Sequence, residues 1–215
     1  TALMSSVIAD KPRMVHMLVK NGAKIDLKDA EGNSPMLVAS ARGNAGLVKL
    51  FLENGAFVNG VDGNGNTPLA ISLHKNFDDI TMLLLDKGAD INKQNNAGES
   101  PLMIVARKGQ MRFVKIFVER GAVIDSADQN GDTALIHAKR ENRREVVFYL
   151  LSKDAVIEKR SEQDELMAFG TINSYHEIVS NLIARNISVN RRFTDGLFPL
   201  YYAVRNGDSQ MIDLL

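Results

Sequence analysis

A short block that opens on a hydroxyl residue, continues with Pro or Ala and then an apolar residue, returns along this chain at a nearly fixed interval. Thr1-Ala2-Leu3, Ser34-Pro35-Met36, Thr67-Pro68-Leu69, Ser100-Pro101-Leu102 and Thr133-Ala134-Leu135 start 33 residues apart. A second marker keeps the same step: Gly22-Ala23, Gly55-Ala56, Gly88-Ala89 and Gly121-Ala122, with Asp154-Ala155 and Asn186 carrying the slot onward. A period of this length belongs to a stack of small supersecondary units, each too thin to bury its own apolar face, so that stability comes from neighbour on neighbour. Function in such a chain is read from a surface rather than from an enclosed site.

Each unit carries its own signals. The Thr or Ser hydroxyl sits where it caps a helix, and Pro in the next place suits the first helical turn. That first helix is expected to end at Asp10, Gly43, Asn76, Gly109, Asn142, Ser174 and Gly207, residues dominated by types that enter the left-handed conformation cheaply. A second helix follows, with apolar pairs at helical spacing such as Met14/Val15 with Leu18/Val19, Leu47/Val48 with Phe51/Leu52, and Val146/Val147 with Leu150/Leu151. After the Gly-Ala come a short extended stretch, as in Ala89-Asp90-Ile91-Asn92, and a turn such as Asp62-Gly63-Asn64-Gly65. The glycine of the Gly-Ala is expected to need a left-handed or closely packed backbone.

These features together resemble an ankyrin-repeat array. The resemblance covers essentially the whole chain, with units starting at Thr1, Ser34, Thr67, Ser100, Thr133, Glu165 and Phe198, the last one truncated, in a single domain over 1–215. It implies an all-α solenoid of helix-turn-helix units with projecting β-hairpin fingers. Two departures stand out. The family places His two residues after the Pro, whereas this chain has Met4, Leu37, Ala70, Met103, Ile136, Ala168 and Tyr201 there, so apolar packing must replace a hydrogen bond. The unit from Glu165 also lacks the hydroxyl, the Pro and the Gly-Ala. Asp164 is expected to cap its helix, leaving Ser161 to Asp164 as an irregular connection and the seam before Phe169-Gly170 as a hinge.

Composition sets further bounds. With 45% hydrophobic and 24% charged residues the chain has ordinary globular character. Lys plus Arg and Asp plus Glu both number 26, so no global field favours nucleic acid or an anionic membrane. There is no cysteine to form disulfides or thiolate metal sites, and an intracellular, cytoplasmic location is expected. The longest apolar runs, such as Met82-Leu83-Leu84-Leu85, fall far short of a membrane span. Thr1 fills the first slot of a unit and Leu214-Leu215 falls inside a second helix, so both ends are expected to be cut from a longer chain.

No catalytic arrangement is visible, and the chain is read as a non-enzyme. His16, His74, His137 and His176 form no metal-binding pair. His137 occupies a slot expected in the interior, and His74 one expected to face a groove. Gly60 to Gly65 lacks the Lys-Ser/Thr of a phosphate loop and the distal Glu of a calcium loop. No cofactor and no metal are expected.

The resemblance also implies a partner lying in a concave groove, touched by finger tips and by the residues at the end of each first helix. In four central units those pairs are Ala41-Arg42, His74-Lys75, Arg107-Lys108 and Arg140-Glu141, in which five of eight are Arg or Lys. Arg205 extends the row. The fingers carry acids instead: Glu31, Glu99, Asp132 and Asp164, whereas Asp29, Asp62 and Asp128 brace the turns. Plain solvation of helix ends is one reading of the basic row. A protein or peptide partner of mixed or acidic charge is another, with the chain a monomeric protein-binding scaffold. A targeting or regulatory arm of a larger enzyme, effector or channel, and a small anionic ligand site in the groove, are the alternatives. Lys139 to Arg144 forms a basic run across an interhelical turn, where solvation is the simpler account.

Overall fold

A computed structural model describes residues 1–157 and 159–215. Among these the chain is helical throughout, in fourteen α-helices of which no two are joined by a β-ladder. The first helices of the units are α1 (Ala2–Ile8), α3 (Pro35–Ala41), α5 (Pro68–Lys75), α7 (Pro101–Lys108), α9 (Ala134–Arg140), α11 (Arg160–Ile172) and α13 (Pro199–Arg205). The second helices are α2 (Pro12–Lys20), α4 (Ala45–Glu53), α6 (Asp78–Asp86), α8 (Met111–Glu119), α10 (Arg144–Ser152), α12 (His176–Ala184) and α14 (Ser209–Leu214). No helix is long and apolar enough to cross a membrane, among the described residues.

The caps explain where the helices start. Thr1, Ser34, Thr67 and Ser100 each accept a hydrogen bond on the hydroxyl from the backbone N–H three residues on, at 3.1, 3.3, 3.1 and 3.3 Å. Each such cap is worth about 1 kcal/mol. Thr133 departs from expectation: it holds the cap position with extended backbone but makes no capping side-chain bond. The left-handed stop is present in every unit. Asp10, Gly43, Asn76, Gly109, Asn142, Ser174 and Gly207 all have φ between 48° and 75°.

The slot that carries Gly-Ala is left-handed too, including at Asp154 (φ 59°) and Asn186 (φ 60°). A Cβ added at Gly22, Gly55, Gly88 or Gly121 meets nothing within 4 Å, so the alternative of close packing is wrong and backbone conformation alone selects glycine there.

One further expectation fails and another is not confirmed. Asp164 is no cap, because α11 begins at Arg160 with Lys159 before it, which places Ser161 to Asp164 inside the helix rather than in an irregular connection. Projecting β-hairpins are not confirmed: among the described residues the fingers show only isolated bridge positions, at Ala127 and Thr133. Asp29, Asp62 and Asn95 each close a tight turn by a backbone bond to the residue four on, and Ile91-Asn92 is itself a turn.

Contacts divide the chain into two compact units. Unit 1 comprises Thr1–Ile104, Glu119–Ala122 and Ala127–Gly131, and unit 2 comprises Val105–Val118, Val123–Ser126 and Asp132–Leu215. Within unit 1 the pairs α1/α2, α3/α4 and α5/α6 stack first helix on first helix and second on second. Its core is aliphatic, with Phe51 as the largest buried side chain and Met4, Leu37 and Ala70 buried where the family carries His. The buried hydroxyls of Ser72 and Thr81 join α5 to α6 at 2.8 Å, so that neither is left unsatisfied. Within unit 2 the pairs α9/α10, α11/α12 and α13/α14 stack in the same manner around Leu135, Val147, Leu150, Leu166, Val179 and Leu182.

Candidate functional site

The turns of unit 1 are built alike, and the cause is a single acceptor. Asp29 Oδ1 accepts from the backbone N–H groups of Glu31 and Asn33 at 3.0 and 2.8 Å. Asp62 Oδ1 does the same for Asn64 and Asn66 at 2.9 and 2.8 Å, and Asn95 Oδ1 for Ala97 and Glu99 at 3.0 Å each. The N–H of Asn33 is the main reason that the Asp29 carboxyl lies below its ordinary pKa. Successive turns are then tied together: Gly63 N–H to Glu31 C=O at 3.1 Å, Asn96 N–H to Asn64 C=O at 2.9 Å and Gln129 N–H to Ala97 C=O at 3.0 Å. Side chains add to this ladder, with Lys28 donating to Val61 C=O at 2.8 Å and Gln94 to Ala127 C=O at 3.0 Å. A surface fixed in this way loses little conformational entropy on binding.

The ends of the first helices carry the basic row. In unit 1, Arg42 and Lys75 are exposed, and their side chains make no ion pair among the described residues. His74, half-buried in the last turn of α5, meets Glu99 of the neighbouring turn at 3.2 Å. Glu31 is exposed and accepts from Asn33 Nδ2 at 3.3 Å.

In unit 2, Arg107 and Lys108 are half-buried in the last turn of α7, and Arg205 is exposed in the last turn of α13. Arg140 grips Asp132 with both guanidinium nitrogens, Nη2 donating to Oδ1 at 2.9 Å and Nη1 to Oδ2. Asp132 is itself largely buried, with Arg140 over it on the exposed side. Lys139 pairs with Glu165, and Arg191 donates to Asp164 at 3.0 Å. The Tyr202 hydroxyl donates to Asp195, which lowers the carboxyl and raises the phenol from their ordinary pKa values.

Sequence reasoning assigned the signs of these groups and missed their pairing. Helix-end groups and turn carboxylates meet at His74–Glu99 and Arg140–Asp132, and the ion pair at Arg140 makes the row less positive than a count of Arg and Lys implies. His137 is half-buried rather than interior, as are Val38, Ile71, Phe169 and Tyr202 in the same slot of the first helix, whereas Ile104 there is buried and Ser5 exposed.

A model of ankyrin repeats in three copies matches residues 3–95 and 76–161, and the chain belongs to that family. Its members are in general protein–protein interaction modules and are typically non-catalytic. No curated protein matches the chain.

Proposed function

We propose that this chain is a non-enzymatic scaffold whose protein partner lies along the ends of the first helices and the braced turns beside them. The observation that carries the reading is that helix-end groups meet turn carboxylates on a rigid backbone: Arg140 with Asp132 as an ion pair in unit 2, and His74 with Glu99 at 3.2 Å in unit 1. A partner of mixed charge exchanges such pairs for its own without leaving an uncompensated charge, whereas a purely anionic one strands the acids. Exposed Arg42, Lys75, Arg205 and Glu31 add unmatched contacts of both signs. Long-range charge then governs encounter and selectivity, and a few buried anchors supply strength. We take the working form to be a cytoplasmic monomer.

Reversal of Arg107 and Lys108 to Glu tests this. Calorimetric titration with the captured partner should show a loss well above the roughly 1 kcal/mol of a rim charge. The urea midpoint of the free chain, measured alongside, separates loss of binding from loss of fold. Unchanged affinity in the double variant returns the basic row to plain solvation of helix ends.

A further inference from the structure

Because the units repeat, each position of a second helix can be compared with its counterparts, and two neighbouring positions of unit 2 break the pattern in opposite senses. The slot held by Asn181 is apolar at Met17, Leu50, Leu83, Ile116, Tyr149 and Leu214. The slot held by Phe148 is polar in five of the other six units: His16, Lys49, Lys115, Ser180 and Asp213. Both residues line one cavity of about 620 Å³ among α10, α12 and α14. Phe148 stands 40% exposed there, and Asn181 Oδ1 is buried without a hydrogen-bond partner. An unpaired buried acceptor is costly, and local rules broken together without a structural gain mark a functional place.

The rest of the lining identifies the occupant. Leu214 and Ala184 extend the apolar wall, and Glu177 and Asp213 supply carboxylates. Asp213 is exposed and makes no ion pair among the described residues, whereas Glu177 meets Arg144 at 3.7 Å on the outer side. His176 is turned to Asp208, its Nε2 lying 2.9 Å from Oδ1. The cavity therefore offers an aromatic face, an amide whose acceptor oxygen is turned inward, and an excess of negative charge. We propose that it receives an arginine side chain of a partner protein, at a docking site separate from the first-helix surface. The guanidinium stacks on Phe148, forks onto Asp213, and draws the Asn181 amide round to present its oxygen, and the aliphatic stem lies on Leu214. Lysine fits less well, because a compact ammonium neither stacks nor forks.

The test is an NMR titration of the full chain with Nα-acetyl-arginine amide, with the norleucine and glutamate analogues alongside. Saturable shifts at the Asn181 side-chain amide and at the backbone of Phe148 and Asp213 are expected for arginine alone. Asp213→Asn and Phe148→Ser should each weaken it about fivefold, and Tm measured on each variant shows that the fold is kept. Asn181→Leu should weaken binding and at the same time raise Tm, since it removes the unpaired acceptor. The proposal is overturned by equal shifts with norleucine or glutamate, by no saturable shift, or by variants that bind as the parent does. A fall in Tm for Asn181→Leu also overturns it, because the amide then serves packing.

Discussion

Gly88 and Gly98 lie ten residues apart in one unit with nearly the same backbone, φ +79° and +78°, yet their surroundings differ completely. A Cβ on Gly88 enters open space. On Gly98 it comes within 2.9 Å of both the Asp128 Cα and the Gln129 nitrogen, which are main-chain atoms of the next turn and have no rotamer to move to. Substitution by Ala at either site incurs the left-handed penalty of about 1–2 kcal/mol. At Gly98 the next turn must also retreat. That adds overpacking of about 1–3 kcal/mol and loss of the Gln129 N–H to Ala97 C=O bond, worth about 1 kcal/mol. Gly98→Ala should therefore cost at least about 3 kcal/mol, against about 1–2 for Gly88→Ala. Urea unfolding of the two variants measures the difference, and hydrogen exchange at the Gln129 amide shows whether the turn ladder is the part that gives. Equal losses, or an unchanged Gln129 amide, would refute the idea that main-chain contact between turns fixes this surface.

The Asp208 carboxyl is held at a pKa of about 2, chiefly by the Ser174 hydroxyl, then by His176 and the Met211 N–H. Its folded value lies below the unfolded one, so its stabilisation is complete above about pH 4 and disappears as pH falls toward 2. Thermal unfolding of Asp208→Asn should show a flatter acid limb than the parent in that window, and identical limbs would contradict the assignment. Amides from Asp164 to Met167 should be protected in hydrogen exchange, since α11 starts at Arg160 and Gln163 N–H already bonds Lys159 C=O at 3.1 Å. Fast exchange there would restore the irregular connection.

What was legible in the sequence was local chemistry. Seven helix stops could be placed because Gly, Asn, Asp and Ser tolerate the left-handed region, and four hydroxyl caps because the acceptor lies three residues from its donor. The start of α11 was misread because its first turn is supported from afar: Arg191, some 27 residues on, bonds both Asp164 and Gln163. Asp164 offers the same carboxylate as a cap or as an ion-pair partner, and nothing nearby in sequence decides between the two. Thr133 shows the converse, a cap residue in the right place whose hydroxyl does not bond. The candidate surface was readable as signs and positions only. That Asp132 is buried under Arg140, or that His74 reaches the turn at Glu99, depends on distances that a repeat period does not encode. The inverted slots at Asn181 and Phe148 passed unnoticed in the sequence and became informative only once the two residues were found to line the same cavity.

Hydrogen–deuterium exchange of the chain with and without its captured protein partner tests the central claim most directly. The account predicts protection at the turns Asp29–Asn33, Asp62–Asn66 and Asn95–Glu99, together with the last turns of α3, α5, α7 and α9. Protection confined to the second helices α10, α12 and α14 would contradict it while leaving the arginine cavity standing, and the absence of any protection in these turns would remove the first-helix surface as the place where the partner binds.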